Sequence, residues 1–397
     1  PYYADRLLER RQLLGTRAAD ASCALVYVNC VGGQDELVFD GGGLVFDAAG
    51  RLVGSLPQFV EEVRAVDIDV RPVYRKRLID PRGHHSSRPL PVTTVTDLPR
   101  QEPSAPRLAA PVATPLTAEA EIYTAMVIGT GDYVRKNGFT DVVIGLSGGI
   151  DSSLVATIAV DALGAEHVHG VSMPSRYSSE GSNSDAAELA RRLGIDYRTI
   201  AIEAAHGALL DLLTPSMITG PPGLTEENLQ SRIRGVLLMA LSNTWSWMVL
   251  TTGNKSEAAV GYSTLYGDTA GGFAVIKDVP KTLVYRLCSW RNADVRGPII
   301  PEAVLTKAPS AELRPDQRDD QSLPPYEVLD PILAAYVEGD LTAGELVDAG
   351  FDEEAVRTVV RLVDTAEYKR RQTPPGVRVT PKAFGRDRRM PITNRYR

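Results

Sequence analysis

The chain has 397 residues, of which 43% are hydrophobic and 23% charged, and its formal net charge is −7. This length and composition are typical of a globular protein with two or three domains. The negative charge argues against a protein that coats nucleic acid, and no apolar run approaches the roughly 18 residues of a membrane helix, so we expect neither partner. Cys23, Cys30 and Cys288 have no paired spacing, which indicates neither a disulfide framework nor a zinc site and favours a reducing cytoplasm.

The first predicted region, residues 1–73, combines one helix with several short strands. It begins without Met in the amphipathic stretch PYYADRLLERRQLL. The predicted strands ALVYVN, ELVFDG, GLVFD, RLVGSL and EEVRAVDIDV follow, separated by Gly-rich turns. These are too few elements for an independent domain. We therefore expect the C-terminal part of a larger α/β layered domain that begins upstream of residue 1.

The composition changes in residues 74–116, where prolines recur without a hydrophobic period, as is typical of a linker. The second predicted domain, residues 117–397, opens with a helical pattern that ends at a glycine. The predicted strands DVVIGLS, HVHGVSM, DYRTIAI and WSWMVLTTGN then alternate with helices. This alternation predicts a parallel sheet with helices on both faces, and hence a Rossmann-like α/β domain.

The stretch VVIGLSGGIDSSLVATIAVDAL places glycines, serines and an aspartate directly after a buried strand. Ligands of open parallel sheets bind outside the carboxyl ends of the strands. Glycines let a phosphate approach the backbone, and the next helix offers free N–H groups. An aspartate among phosphates is favourable when a divalent cation bridges them. We therefore predict a pyrophosphate-binding loop with Asp151 as a magnesium ligand, although a helix cap without a ligand has a similar composition.

The pattern S-G-G-x-D-S-S after a strand resembles the N-type ATP pyrophosphatases, which cleave ATP between the α and β phosphates and adenylate a substrate. The stretches VSMPSRYSS, ENLQSRIRG, TTGNKSEAAVGYSTLYGD and EYKRRQTPPG resemble the NAD synthetases over nearly all of residues 117–397. The first region looks like the end of the nitrilase-type glutaminase domain of the glutamine-dependent members. The resemblance thus implies an ATP pyrophosphatase (adenine nucleotide alpha hydrolase-like) domain preceded by the C-terminal part of an αββα nitrilase-type domain.

The resemblance also implies a reaction. ATP would adenylate the carboxylate of deamido-NAD, and ammonia would then displace AMP to give NAD, with glutamine as the source of ammonia in the full-length protein. Mg²⁺ is the implied cofactor and ATP a co-substrate, and we expect a cytoplasmic homo-oligomer. Little covalent chemistry falls to the protein, so positioning and charge neutralisation must provide the catalysis.

The resemblance assigns each ligand to particular positions. ATP is assigned to Gly145, Leu146, Ser147, Gly148, Gly149, Ile150, Asp151, Ser152, Ser153, Thr252, Lys281 and Ser310. Deamido-NAD is assigned to Asn228, Arg232, Glu257, Tyr262, Ser263, Thr264, Leu265, Tyr266 and Lys369. Magnesium is assigned to Asp151 and Glu257, and glutamine to Arg6. Leu265 stands where the ammonia-dependent members carry a lysine, which leaves that substrate contact open.

Several of these residues have ordinary structural alternatives. Taken alone, Glu257 is also a normal acid at a helix N-terminus, and Lys281 a normal solvated lysine. Asn228 and Arg232 are i and i+4 on one helix face, whereas we expect Arg234 at the surface. We expect Cys30 to be a small buried filler rather than a nucleophile. In the nitrilase-type glutaminases the cysteine, glutamate and lysine of the active site precede the segment with which this chain begins.

Two other functions compete with this hypothesis. Another ATP pyrophosphatase, such as a GMP synthetase or a tRNA thiolase, would share the loop. However, the stretch TGNKSE, the nitrilase-like beginning and the lack of a basic face argue against it. A nucleotide-binding regulatory module without catalysis would not need both proposed metal carboxylates.

Overall fold

The computed structural model describes residues 1–79, 91, 93–94, 108, 111–216, 223–294, 297–315 and 317–393. The chain forms two compact units. The large unit comprises Pro1–Ala4, Gly32–Val38 and Thr117–Arg397, and the small unit comprises Asp5–Val31 and Phe39–Leu116. Most of the predicted linker, residues 74–116, lies outside the described residues.

The chain up to residue 79 contains short elements. In order, these are helix α1 (Arg6–Ala21), strands β1 (Leu25–Tyr27), β2 (Val31–Gln34), β3 (Leu37–Asp40), β4 (Leu44–Phe46) and β5 (Leu52–Ser55), and helix α2 (Arg71–Ile79). Strands β1, β4 and β5 form an antiparallel sheet in the order β1-β4-β5, and β2 pairs with β3. Ala18 of α1 packs with Leu44 and Phe46 of β4, so the helix covers the sheet as the predicted α/β layers require.

The predicted strand EEVRAVDIDV is wrong. Residues 61–70 have no regular secondary structure and are followed by α2. Its alternating pattern fits a strand, but β5 is the last strand of its sheet and this segment does not pair with it. An alternating sequence forms a strand only where another strand satisfies its backbone hydrogen bonds.

The remaining elements belong to the large unit. In order, they are α3 (Ala118–Lys136), β6 (Val142–Gly145), α4 (Ile150–Leu163), β7 (Val168–Ser172), α5 (Glu180–Leu193), β8 (Asp196–Thr199), α6 (Glu203–Leu213), α7 (Leu224–Trp245), β9 (Met248–Thr251), α8 (Lys255–Val260), β10 (Phe273–Ala274), α9 (Lys281–Asn292), α10 (Glu302–Thr306), α11 (Tyr326–Leu333), α12 (Ala343–Asp348), α13 (Glu353–Thr365) and α14 (Glu367–Arg370). Among the described helices, none has the length and apolar character that a membrane span requires.

The core of the large unit is a five-stranded parallel sheet in the order β10-β9-β6-β7-β8. The predicted parallel α/β fold is therefore confirmed. Val142 of the central strand β6 pairs with Val168 of β7 on one side and with Met248 of β9 on the other. Since the chain continues from β6 to both sides of the sheet, the carboxyl end of β6 lies where ligands of such sheets bind.

Candidate active site

A cavity of about 300 Å³ opens at the carboxyl ends of β6, β7 and β9. Its wall includes most of the residues assigned to ATP and several assigned to deamido-NAD. These are Gly145, Leu146, Ser147, Gly149, Ile150, Asp151, Ser152, Thr252, Glu257, Tyr262, Thr264, Lys281 and Ser310. The fold thus brings together positions up to 165 residues apart in the sequence, as the span from Gly145 to Ser310 shows.

The loop after β6 has the geometry of a helix-terminal anion site. Gly148 has φ 73°, and a Cβ there would lie 2.1 Å from the carbonyl oxygen of Ser182, so only glycine fits. Gly149 caps α4 in extended conformation. The hydroxyls of Ser152 and Ser153 donate to the Gly149 carbonyl at 3.0 and 2.8 Å. They therefore fix the loop and leave the first-turn N–H groups of α4 for a ligand.

A lysine and two carboxylates lie beside this helix terminus. The ammonium group of Lys281, which is 2% exposed, donates to Asp151 Oδ2 and lies 4.0 Å from Glu257 Oε1. Asn254 Nδ2 donates to Asp151 Oδ1 at 2.9 Å. Burial alone would lower the pKa of Lys281, but the charges of Asp151 and Glu257 outweigh it and raise that pKa. Lys281 is therefore a buried cation, which rules out the alternative of a solvated lysine.

Glu257 is held by the start of α8. Its backbone N–H donates to Asn254 Oδ1 at 3.0 Å, and its Oε2 accepts from the Asn254 N–H at 3.2 Å, which is a capping box. Burial and the neighbouring charge of Asp151 raise the pKa of Glu257 to about 8. The helix-terminal role is thus real, yet the same carboxylate also lines the cavity. One lysine does not compensate two buried carboxylates, so Glu257 stays mostly protonated below about pH 8.

The residues assigned to deamido-NAD divide between two places. Asn228 Oδ1 accepts from Thr264 Oγ1 at 2.7 Å, and Arg232 Nε donates to the Leu265 carbonyl at 3.2 Å. One face of α7 therefore holds the loop 261–266, as the i, i+4 spacing predicts. In that loop Tyr262 and Thr264 line the large cavity. Asn228, Arg232, Leu265 and the exposed Tyr266 are not part of its wall.

Lys369 lies at a second, smaller cavity of about 40 Å³. Its ammonium group donates to the carbonyls of Gly261 and Ser263 at 2.7 and 2.8 Å, so it also holds the 261–266 loop. Ser263 lines this second cavity. Glu257 and Asp268 line both cavities.

The expectation that Arg234 lies at the surface is wrong. Arg234 lines the large cavity, and its Nε donates to the Met173 carbonyl at 3.0 Å. Burial lowers its pKa to about 10. Arg232 and Arg234 are two positions apart, so they point to different sides of α7. One side faces the 261–266 loop and the other faces the end of β7. The sequence spacing shows that the two arginines point to different sides, but not which side faces the cavity.

Three acidic residues of the cavity wall were not predicted from the sequence: Asp268, Glu312 and Asp319. Asp268 accepts from the Thr264 N–H at 2.7 Å, and burial raises its pKa to about 6. Its place in the stretch GYSTLYGD, which the resemblance had singled out, was the available signal.

Glu312 belongs to the loop that follows α10 and has φ 47°. Its carboxylate accepts from Ser179 Oγ at 2.9 Å and Ser182 Oγ at 2.6 Å, and lies 3.3 Å from Lys307 Nζ. These partners outweigh the effect of burial and lower its pKa. Ser310 in the same loop donates to the Gln317 carbonyl at 2.6 Å. This loop therefore forms a hydrogen-bonded wall of the cavity.

Outside the large unit, the expectation for Cys30 is wrong in one respect. Cys30 is exposed rather than buried, because it lies in the connection between β1 and β2.

Cys288, which lies in α9 of the large unit, is buried, and burial raises the pKa of its thiol. Arg6, at the start of α1, pairs with Glu9 at 2.6 Å.

The fold and this site define a nucleotide-binding α/β enzyme, since a glycine-rich loop and a helix N-terminus face a buried lysine at the switch point of a parallel sheet. The model of the NAD synthase family matches residues 122–373. The glutamine-dependent NAD(+) synthetase of Thermotoga maritima is 50% identical over 399 residues, which cover 100% of this chain and 69% of that protein. The chain therefore belongs to the NAD synthase family, as its sequence motifs predicted.

Two further similar proteins support membership of this family. The glutamine-dependent NAD(+) synthetase of Rhodobacter capsulatus is 48% identical and is covered to 68% of its length. The solved structure of the Acinetobacter baumannii glutamine-dependent NAD+ synthetase, in complex with ADP, is 43% identical with a TM-score of 0.67. That match covers 99% of this chain and 66% of the other. The similarity includes the small unit, so the chain corresponds to about two thirds of a glutamine-dependent enzyme.

Proposed function

We propose that the large unit forms NAD from deamido-NAD, ATP and ammonia. The chain is a carbon–nitrogen ligase. The carboxylate of deamido-NAD attacks the α-phosphorus of ATP, which releases pyrophosphate and leaves an acyl adenylate; ammonia then displaces AMP. The observation that carries this proposal is the group formed by Asp151, Glu257 and Lys281 beside the N-terminus of α4.

ATP would bind with its phosphates at the loop from Gly145 to Ser153. The N–H groups of α4 and the ammonium group of Lys281 would neutralise charge that develops on the leaving pyrophosphate. Thr252 and Ser310, which both line the cavity, would contact the nucleotide. The ADP described in the Acinetobacter baumannii relative supports an adenine nucleotide as the ligand.

Mg²⁺ would bind at Asp151 and Glu257. Both are oxygen ligands of the kind that this ion prefers. The raised pKa of Glu257 reflects the cost of a second negative charge beside Asp151, and a divalent cation would offset that cost. Among the described residues there is no group of three His, Cys, Asp or Glu side chains able to hold a metal ion, so phosphate oxygens and water would complete the coordination. The bound ion would supply charge neutralisation to the phosphates.

Deamido-NAD would bind along the 261–266 loop. Asn228, Arg232 and Lys369 fix the backbone or side chains of that loop, so they would position Tyr262 to Tyr266 against the substrate. The two cavities share Glu257 and Asp268, which supports a substrate that extends from one into the other.

Glutamine would be used only by the full-length protein, with Arg6 as one binding residue. Glutamine hydrolysis needs an activated thiolate with an adjacent base. Burial raises the pKa of the Cys288 thiol, which makes it a poor nucleophile. We therefore expect this chain to depend on free ammonia.

We also propose a homo-oligomer in the cytoplasm. Helices α6 and α7 expose large apolar side chains: Leu212 is 75%, Val236 67% and Trp245 54% exposed. Apolar surface of this kind is favourable to bury against a second copy. The three cysteines are free, which fits a reducing compartment.

The test of the proposed reaction compares nitrogen sources. The 397-residue chain is supplied with ATP, Mg²⁺ and deamido-NAD, together with either ammonium chloride or glutamine freed of ammonia, and NAD and AMP are measured. We expect equal amounts of NAD and AMP with ammonium and no NAD with glutamine. NAD formation from glutamine at the ammonium rate would show that a cysteine of this chain is a nucleophile. The first variant to examine would then be Cys30→Ala.

A further inference from the structure

Arg234 is a cation in the wall of the large cavity to which the proposed reaction assigns no role. It lies on α7, and its Nε donates at 3.0 Å to the carbonyl of Met173, the residue that follows β7. The described wall contains two other cations, Lys281 and Lys307. Each of these two forms an ion pair with a carboxylate, whereas no carboxylate of the described residues forms an ion pair with Arg234. Arg234 therefore brings a positive charge to the cavity that the described protein leaves unpaired.

The guanidinium of Arg234 also keeps hydrogen-bond donors for a ligand. Its Nε is used by Met173, but neither Nη atom has a hydrogen-bond partner in the part of the chain that the structure describes. Neither Nη atom belongs to the described side-chain atoms that are buried without a partner, and Arg234 lines the cavity, so both can reach a ligand there. Burial lowers the pKa of Arg234 to about 10, which still leaves it charged at neutral pH. The planar N–H groups of a charged guanidinium match an oxyanion.

The place of Arg234 beside the loop after β6 restricts which oxyanion it meets. A Cβ built on Gly145, where that loop begins, would lie 3.3 Å from Met173 Cε and 3.5 Å from Leu238 Cδ1. Met173 provides the carbonyl that holds Arg234, and Leu238 is one turn further along α7. Arg234 therefore stands next to the loop on the side of β7 and α7.

The charges around the loop leave Arg234 as its available cation. Lys281 reaches the same loop from α9, but Asp151 and Glu257 already offset its charge. Arg234 interacts electrostatically with Glu312, yet that carboxylate does not pair with it and instead accepts from serine hydroxyls and lies 3.3 Å from a lysine. A phosphate in the loop would thus gain more from Arg234 than from a cation that is already paired.

We propose that Arg234 binds a phosphate oxygen of ATP through its Nη groups and thereby sets the affinity for the nucleotide. This inference rests on the proposed function, which assigns ATP to the loop from Gly145 to Ser153. The hydrogen bond to Met173 fixes the guanidinium, so little side-chain freedom is lost when the phosphate binds. Deamido-NAD also contains phosphates, but it is assigned to the 261–266 loop, which Arg232 holds from another side of α7.

The test measures nucleotide binding directly in Arg234→Gln. Isothermal titration gives the dissociation constants of ATP with Mg²⁺ and of adenosine, which shares the base and the ribose but has no phosphate. Initial rates of NAD formation with ammonium give the KM values for ATP and for deamido-NAD. The matched control is Arg191→Gln, since Arg191 lies in the last turn of α5, is 71% exposed and pairs with Glu188.

We expect Arg234→Gln to weaken ATP binding by about 10- to 100-fold, the effect of one lost hydrogen-bonding charge. The KM for ATP should rise by a similar factor, while adenosine binding and the KM for deamido-NAD should stay within about threefold. Arg191→Gln should leave all four values unchanged. Unchanged ATP binding, or an equal loss for adenosine, would overturn the proposal, because the phosphate would then not be what Arg234 recognises. A larger rise in the KM for deamido-NAD than for ATP would overturn it in favour of a deamido-NAD phosphate.

Two further comparisons keep the outcome decisive. If Arg234→Gln does not fold, Arg234→Lys takes its place, because an ammonium group keeps the charge but lacks the fork that holds both the Met173 carbonyl and a phosphate. It must then weaken ATP binding by about fivefold or more with adenosine unaffected, and an unchanged ATP affinity overturns the proposal. If the unmodified chain binds ATP but makes no NAD, the proposed function fails and the titrations alone decide the inference. If the unmodified chain is active and Arg234→Gln binds ATP normally, only the inference fails.

Discussion

The parallel strands of the five-stranded sheet begin at one end, here called the amino edge, and finish at the other, the carboxyl edge. The two differ in how well neighbouring groups stabilise their carboxylates. At the amino edge, His169 is stacked on Trp247 with ring centroids 3.6 Å apart, and its ring nitrogens lie 3.1 Å from Asp196 and 3.2 Å from Asp141. At the carboxyl edge, Lys281 faces two carboxylates, and the pKa of Glu257 is raised to about 8. At the amino edge, burial would raise the pKa of Asp141 and Asp196, but their hydrogen bonds outweigh it and lower that pKa, whereas the pKa of Glu257 is raised next to a cavity.

The difference favours the carboxyl edge as the place of the proposed site. Paired charges gain little from a ligand, since each already has its partner. A cluster in which one buried carboxylate is held protonated gains much from a cation that allows it to ionise. Five substitutions or conditions test this contrast, and they are given from the largest expected effect to the smallest.

Asp151→Asn should abolish turnover and leave the fold intact. The variant loses one of the two carboxylates proposed to hold the cation, and removal of one charge-stabilising group costs about 100-fold or more in rate. NAD formation is measured at saturating Mg²⁺, with circular dichroism to confirm folding. Near-normal NAD formation would show that the metal ligands are assigned wrongly.

Magnesium binding should strengthen as pH rises. Below a pKa of about 8, Glu257 is mostly protonated, so metal binding must release its proton. Between about pH 6 and 8 the apparent affinity should rise by up to tenfold per pH unit, and Glu257→Gln should remove this slope. The measurement is isothermal titration in two buffers of different ionisation enthalpy. A slope that persists in Glu257→Gln would contradict the assignment.

The metal-free protein should show the opposite trend. The pKa of Glu257 is raised above its ordinary value of 4.5, so its contribution to stability is present below that value and is lost as pH rises through about 8. Thermal unfolding without metal should therefore show a falling Tm in this window. The same scan in Glu257→Gln should be flatter.

Lys369→Ala should raise the KM for deamido-NAD by about tenfold and the KM for ATP by less. Its partly buried ammonium group donates to the carbonyls of Gly261 and Ser263, and removing a hydrogen-bonding charge costs about 1.5–3 kcal/mol. The loop carries the residues proposed to bind deamido-NAD, whereas no hydrogen bond joins Lys369 to the described loop from Gly145 to Ser153. Initial rates with each substrate varied separately give the two constants. Equal effects on both constants would contradict a role confined to the 261–266 loop.

His169→Ala should change stability and not catalysis. Burial would raise the pKa of Asp141 and Asp196, but their hydrogen bonds, including those to His169, outweigh burial and lower it. Loss of these bonds and of the stacking on Trp247 should cost about 1–3 kcal/mol of unfolding free energy. Urea unfolding and kcat are measured together. A loss of activity without a loss of stability would show that the two edges are not as separate as their charges indicate.

The sequence by itself determined the elements whose information is local. Apolar runs alternating with helical patterns specify a parallel sheet, because period and length are properties of consecutive residues. The loop SGGIDSS was predictable for the same reason: strand, glycines and helix start follow one another directly, and Gly148 is required by its own φ of 73°. The strand predicted over residues 61–70 failed because a strand also needs a partner, which no local pattern supplies.

Only the tertiary structure decided which charges meet. Asp151 and Lys281 are 130 residues apart, and their contact follows from the packing of α4 against α9. The side of α7 that faces the cavity was settled in the same way, so Arg234 lines it and Arg232 does not. Asp319 has no distinguishing motif at all. Its place in the cavity wall follows from burial and from its hydrogen bond with Tyr326, and both depend on the whole packed unit rather than on neighbouring residues.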